Sequence, residues 1–243
     1  MKKLFNLNYF YFVCLCFLGG ILDTFSLNYK GQVFSLIQTG NLIKSIMNYV
    51  SGNFDIANFC MILFAVFVVS CFILFIVFNY LRKKNVKMEI LVPILIVICL
   101  IPSFILTTDN ESEMNLTNIL CGTFLSVAGA ILFSSFTKVN SINASNTMMT
   151  ANSKKMMENL AEFTISKNKE KLFNFVLYFI LLITFSLGVL SVALCYNLIK
   201  DVTIGYYINI GIILFTLVVL LTLGLTIHFK KEKEDVGCKE IRD

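Results

Sequence analysis

A three-residue pattern occurs twice in this chain, 111 positions apart: Thr39-Gly40-Asn41 and Thr150-Ala151-Asn152, each opening a short amphipathic stretch. The same shift lays the long apolar segments over one another, carrying 9–28 onto 118–136, 56–80 onto 172–196 and 90–107 onto 204–229. Phe25/Phe136, Thr39/Thr150, Asn41/Asn152, Lys44/Lys155 and Asn48/Asn159 match in residue type across it. The spacing predicts two related halves, residues 1–113 and 114–243, within a single membrane domain. Each half has three long apolar segments and a polar break after the first.

Composition fixes the solvent of those segments. At 57% hydrophobic residues, 14% charged residues and a mean hydropathy of +0.80, the chain carries more apolar surface than a water-soluble core can bury. A bilayer core of roughly 30 Å takes about 20 apolar residues per helix. The stretches 9–22, 56–80, 90–108, 114–137 and 172–199 contain no Lys, Arg, Asp or Glu, and 202–229 adds only His228. Backbone groups in lipid must be satisfied within the segment, and no period-2 alternation suggests barrel strands, so the class is an all-α membrane protein of six transmembrane helices. Lys2 and Lys3 ahead of the run from Tyr9 to Leu22 resemble a cleavable signal. No small-residue cleavage site follows, and the run is read as a retained first helix. The eight cysteines form no CxxC pair or His-bearing cluster, so neither a disulfide framework nor a metal site is expected, nor any cofactor.

Positive charge orients the helices. With both termini inside, seventeen of the twenty Lys and Arg residues fall on the cytoplasmic side and three outside, where the connection 109–117 carries Asp109, Glu111 and Glu113 and no base. That bias follows the positive-inside rule and predicts a multi-pass plasma-membrane protein. The bilayer accounts for the basic residues, and no nucleic-acid partner is implied. Because three is odd, the halves enter the membrane in opposite directions: a 3+3 inverted repeat.

The break after the first helix of each half is about 30 residues long, more than neighbouring helices need. Leu42, Ile43, Ile46, Met47 and Val50 share one helical face against Asn41, Lys44, Ser45 and Asn48, and Met156, Met157, Leu160 and Ala161 do the same in the second half. Two readings stand. Each stretch lies in the headgroup layer with Thr or Asn as its cap, or each is a broken, re-entrant segment whose Thr and Asn residues line a polar cavity between the halves. Lys44 and Lys155 follow in the first turn, where the helix dipole disfavours a cation.

Gly20-Ile21-Leu22-Asp23, an aromatic residue, and Gln38-Thr39-Gly40-Asn41-Leu42 together resemble the YoaK-like family of bacterial six-helix membrane proteins of unknown function. Thr147-Met148-Met149-Thr150-Ala151-Asn152 is similar to the family's Thr-x-Met-Thr-Gly element, with Ala151 in place of its last glycine, and Ile131-Leu132-Phe133-Ser134 stands where the family has Gly-Leu-Gln-Asn. The resemblance implies an integral plasma-membrane protein.

Asp23 is the acid expected within membrane depth, where an ionised group needs a partner or a wet cavity. The alternative puts it at the headgroups, capping a helix or paired with Lys30. His228 reads as an interfacial residue at the cytoplasmic end of the last helix. Cys16, Gly20 and Thr24, and likewise Gly122, Ser126 and Ala130, form small-residue stripes that suggest contact between the first and fourth spans. Pro93 and Pro102 are expected to start and kink the third.

No GxSxG, HExxH or GxxxxGK[ST] pattern occurs, so no enzyme is predicted. The reading is a small-solute transporter or channel whose substrate-binding residues are Asp23, Thr39, Gly40, Asn41, Lys44, Thr150, Asn152 and Lys155, with a small solute or ion as ligand. The alternative is a membrane scaffold or regulatory partner of other proteins. In a cysteine-free background, an impermeant thiol reagent should label Ser112→Cys from outside and Asn168→Cys only after permeabilisation. The reverse pattern would invert the topology.

Overall fold

The computed structural model describes residues 6–106, 116–136, 139 and 142–240, with side chains to residue 230. Lys2, Lys3, the acidic residues Asp109, Glu111 and Glu113, Lys138 and Arg242 lie outside the described residues. Eight helices follow in order: α1 Leu7–Tyr29, α2 Gln38–Val50, α3 Phe54–Lys83, α4 Met88–Ile105, α5 Leu116–Ser135, α6 Met149–Ser166, α7 Lys169–Leu198 and α8 Val202–Glu240. All but α2 and α6 are long and apolar enough to cross a membrane, which gives the six spans expected from hydropathy. The chain is an all-α integral membrane protein, and the described residues form no strand beyond one isolated bridge between Val139 and Ile142.

Local chemistry sets the ends of the spans. Asp55 occupies the first turn of α3 and Arg82 and Lys83 its last, so both charges complement the helix dipole. Asn168 caps α7 by accepting the Glu170 N–H at 2.9 Å. Pro93 and Pro102 both lie inside α4 rather than at its start. Outward on α3, Val69, Phe72, Ile73, Phe75 and Ile76 are exposed, as a face meant for lipid acyl chains must be.

Packing repeats with the sequence. Helix α1 packs on α7 as α5 packs on α3; α2 lies on α3 as α6 lies on α7; α1 meets α8 as α5 meets α4. The self-paired contacts are α1 with α5 and α4 with α8. Each half thus sends its first helix into the other half's bundle, so neither half buries its apolar faces alone. The largest core cluster joins Leu15, Leu22 and Phe25 of α1 with Ile96 and Leu100 of α4, Leu132 of α5 and Leu217 and Leu220 of α8.

The small-residue stripes serve a different crossing from the one their spacing suggested. A Cβ on Gly20 would sit 2.2 Å from the Phe185 carbonyl oxygen of α7, and one on Gly188 would sit 2.3 Å from the Phe17 oxygen of α1. Gly122 on α5 faces the Leu63 side chain of α3. The close backbone approaches between spans are therefore α1 to α7 and, with the Glu89 carbonyl oxygen 2.4 Å from where a Cβ of Gly224 would sit, α8 to α4, whereas α5 meets α3 there through a side chain. Helices α1 and α5 also meet, with Leu132 of α5 3.7 Å from where a Cβ of Gly19 would sit and the Leu36 side chain packed against both helices.

Gly20→Ala should force the α1–α7 crossing open at a cost of about 1–3 kcal/mol. Gly211→Ala, with nothing within 4 Å of its added methyl, should be neutral or stabilising within about 1 kcal/mol. Melting of the two variants in detergent, followed by size-exclusion, checks this; equal melting temperatures would refute the tight crossing.

Candidate functional site

The connection 31–37 turns at Gly31 and Gln32, with φ of 78° and 54°, and leads into α2 without a regular hydrogen-bond ladder. Its backbone is satisfied by side chains. Asn41 Oδ1 accepts the Phe34 N–H at 2.9 Å while its Nδ2 donates to the Phe34 carbonyl at 2.8 Å, so one carboxamide closes both groups of a residue seven positions earlier. Gln38 Nε2 donates to the Phe34 and Ser35 carbonyls, both at 3.0 Å, and Gln38 Oε1 accepts from Asn41. Lys44 Nζ donates back to the Gln32 carbonyl at 2.6 Å, and Asn48 Nδ2 to the Lys44 carbonyl at 2.8 Å.

Add 111 to each residue and the same bonds recur. Asn152 accepts the Ser145 N–H at 3.0 Å and donates to the Ser145 carbonyl at 2.5 Å. Lys155 Nζ donates to the Asn143 carbonyl at 2.6 Å, and Asn159 Nδ2 to the Lys155 carbonyl at 2.7 Å. Met149 stands in for Gln38, its sulfur 3.9 Å from Asn152 Nδ2. The helix starts agree as well: Ile37 and Met148 are the residues flanking α2 and α6, with φ, ψ of −81°, 67° and −87°, 77° and no side-chain cap of their own. Thr39 and Asn41 are thus not N-caps. Helix α2 begins at Gln38, so Lys44 falls in the second turn, clear of the first-turn penalty.

The replacement of Gly40 by Ala151 also has a local cause. A Cβ on Gly40 would meet the Phe34 ring at 2.8 Å; the residue at the matching position before Ala151 is Ser145, which has no ring. Aromatic with glycine and serine with alanine are two volume-matched solutions of one turn.

Where the halves differ is in who binds the amides at the helix start. Asp23, 3% exposed, sends Oδ1 to the Leu36 N–H at 2.7 Å, the Ser35 hydroxyl at 3.2 Å and the Ile37 N–H at 3.4 Å. Asp23 Oδ2 has no hydrogen-bond partner among the described residues. In the second half the matching amides of Thr147 and Met148 go to the neighbouring Ser145 hydroxyl at 3.3 and 2.9 Å, and Ser134 stands in the Asp23 position. Asp23 therefore caps α2 from another helix. Lys30 turns instead to the Leu106 carbonyl at the end of α4, 2.7 Å away, with the Tyr206 ring 4.9 Å off.

Both loop tips reach the opposite half. The Ser35 carbonyl oxygen lies 2.2 Å from where a Cβ of Gly129 on α5 would be, and the Asn146 carbonyl oxygen 3.3 Å from that of Gly19 on α1. The Leu36 side chain faces both glycines, 3.5 Å from where a Cβ of Gly19 would sit and 3.3 Å from that of Gly129. Of the residues predicted for the site, Asp23, Asn41 and Asn152 are buried and bonded as above, Lys44 and Lys155 are half-buried at the loop bases, and Thr39 and Thr150 are exposed. Gly40 packs under Phe34. A cavity of about 320 Å3 is lined by Leu27, Asn28, Gln32, Phe34, Lys44 and Tyr196, so of the predicted residues Lys44 is the one that reaches it. Ser35, Leu36 and Tyr196 carry the arrangement without any signal of their own in the sequence, and Gln38, part of the motif before Thr39, is not singled out there as a site residue.

The compensated turn predicts coupling. Gly40→Ala alone should lower the melting temperature through overpacking on Phe34, and the Phe34→Ser background should relieve it, with a favourable interaction of about 1 kcal/mol or more across the four proteins. Additive effects would separate the two positions.

No curated protein and no solved structure matches the chain significantly. A family model matches residues 11–222, nearly the whole membrane region, and the chain belongs to that family, described as protein of unknown function (DUF1275), in keeping with the YoaK-like resemblance of its motifs.

Proposed function

We propose that the protein is a plasma-membrane transporter or channel for a small solute, built from two three-helix halves of opposite orientation with cytoplasmic termini. The observation that carries the reading is the recurrence, at one fixed shift, of the Asn41 and Asn152 clamps and of the Lys44 and Lys155 tethers, together with the crossing of each loop tip onto the opposite half. Spans α1, α3 and α4 make one half and α5, α7 and α8 the other. An odd number of spans inverts the second relative to the first. Gly19 lies ten residues before the end of α1, about 15 Å along the helix, which is roughly half the hydrocarbon thickness. Leu36, seated against it, supports a segment that returns into membrane depth. Irregular backbone survives there only where protein or water satisfies it, and the Asn, Gln and Asp bonds supply that satisfaction.

In this reading the two loops are the moving parts and Asp23 is the hinge group of the first. Its Oδ2, without a partner among the described residues, is left for a proton, an ion or a solute. We assign no covalent chemistry to the protein, and its partners are lipid and a small solute.

A second reading, a non-transporting scaffold, draws on one observation: the polar atoms of Asn41 and most of those around Asp23 are spent inside the loops. Flux in proteoliposomes decides. Asp23→Asn and Asn41→Ala should each lower solute flux by about tenfold or more while size-exclusion still shows folded protein at more than about half the parent yield. Activity lost only in proportion to folded protein would make both residues structural ties and favour the scaffold.

A further inference from the structure

The cavity between the end of α1, the connection 31–34, α2 and the end of α7 is built unlike a lipid-facing crevice. Lys44 enters it with one of its three N–H groups committed to the Gln32 carbonyl. The ion pairs among the described residues are Lys154–Glu158 and Lys171–Glu162, so no carboxylate there neutralises Lys44. The carboxamides of Asn28 and Gln32 and the hydroxyl of Tyr196 also line the space, and none of the three makes a hydrogen bond among the described residues. Leu27 and the Phe34 ring complete the wall. Burial holds Lys44 below the ordinary lysine range, a penalty that an anion beside it relieves.

One cation, neutral donors and an apolar wall match a single negative charge on an apolar body. A phosphate near neutral pH carries more charge than one lysine offsets, and its usual hosts are arginine forks or free helix N-termini. We propose that this cavity binds a monocarboxylate with a small apolar body, the carboxylate between Lys44, Gln32 and Tyr196 and the body against Leu27 and Phe34. As cargo of the path proposed above the ligand rests on that reading, but its occupancy is measured apart from flux.

The shared chemistry admits two sources, a soluble carboxylate and a fatty acid from the bilayer. Equilibrium binding of radiolabelled benzoate to the purified full-length protein in detergent, competed by decanoate and by inorganic phosphate, separates them. Benzoate should bind saturably, and decanoate displacing it at much lower concentration would assign the ligand to the bilayer. Lys44→Gln should weaken binding about tenfold or more, and Tyr196→Phe, which deletes a hydroxyl unused by the fold, about threefold, with Lys154→Gln unchanged. The Tyr196 variant keeps the test open if loss of the Gln32 tether unfolds the Lys44 variant. The proposal is overturned by absence of saturable binding of either carboxylate, by binding indifferent to both substitutions, or by phosphate competing as well as decanoate. Binding without flux of the bound carboxylate would sink the transport reading alone, and flux of other solutes without carboxylate binding would sink this one alone.

Discussion

The arrangement depends on finding partners for the backbone of two irregular connections that are packed against helices. A peptide group buried without a hydrogen bond costs about 1–3 kcal/mol, and a loop tip pressed against Gly129 or Gly19 has little room for water. Asn41 and Asn152 meet that demand with a carboxamide that mimics a strand partner, donor and acceptor side by side, for a single residue seven positions back. Once Phe34 and Ser145 are held, the start of each short helix is fixed, the lysine in its second turn falls next to a loop carbonyl, and the apolar face of α2 or α6 is set against α3 or α7. The clamp therefore connects local chain geometry to the interlock of the two halves.

The spans were legible because lipid leaves so few options. Long runs free of charge can only be helices, and 9–28, 56–80 and 172–196 fall within α1, α3 and α7. The repeat was legible from spacing, and the structure repeats its helix pairings. The role of the matched asparagines was not. A polar residue in apolar surroundings looks like a lining group, and nothing in a one-dimensional pattern links Asn41 to Phe34, because the link is a turn whose shape depends on Gly31, Gln32 and the trans cap from Asp23. The small-residue stripes misled for a related reason. Gly20 permits a close approach, but its spacing does not name the neighbour, and the neighbour is Phe185 of α7. Tyr196 could not be found at all from sequence, since only the packing of α1 on α7 brings it beside Gln32 and Lys44.

The two halves share their scaffolding bonds and diverge where a ligand would sit. Moving the cavity lining by 111 positions turns Leu27, Asn28, Gln32 and Phe34 into Lys138, Val139, Asn143 and Ser145, and Tyr196 falls back on Asn85; only Lys44 keeps its type, as Lys155. The capping of the helix start diverges in the same sense, from an acid on a spanning helix in the first half to a local serine hydroxyl in the second. A serine cap holds its loop regardless of protons or cations, because the hydroxyl does not ionise in the accessible range. An aspartate cap holds it as an anion accepting three donors, and its grip weakens once a proton or cation claims the same carboxylate. Both loops keep a lysine tether, but the first is the one whose helix start is bound by a carboxylate, and it is also the loop that borders the cavity. Two halves with identical loops would have equal anchors and equal linings. Here the differences collect on the first loop, where Asp23, Leu36 and Phe34 lie between the spanning helices and the cavity.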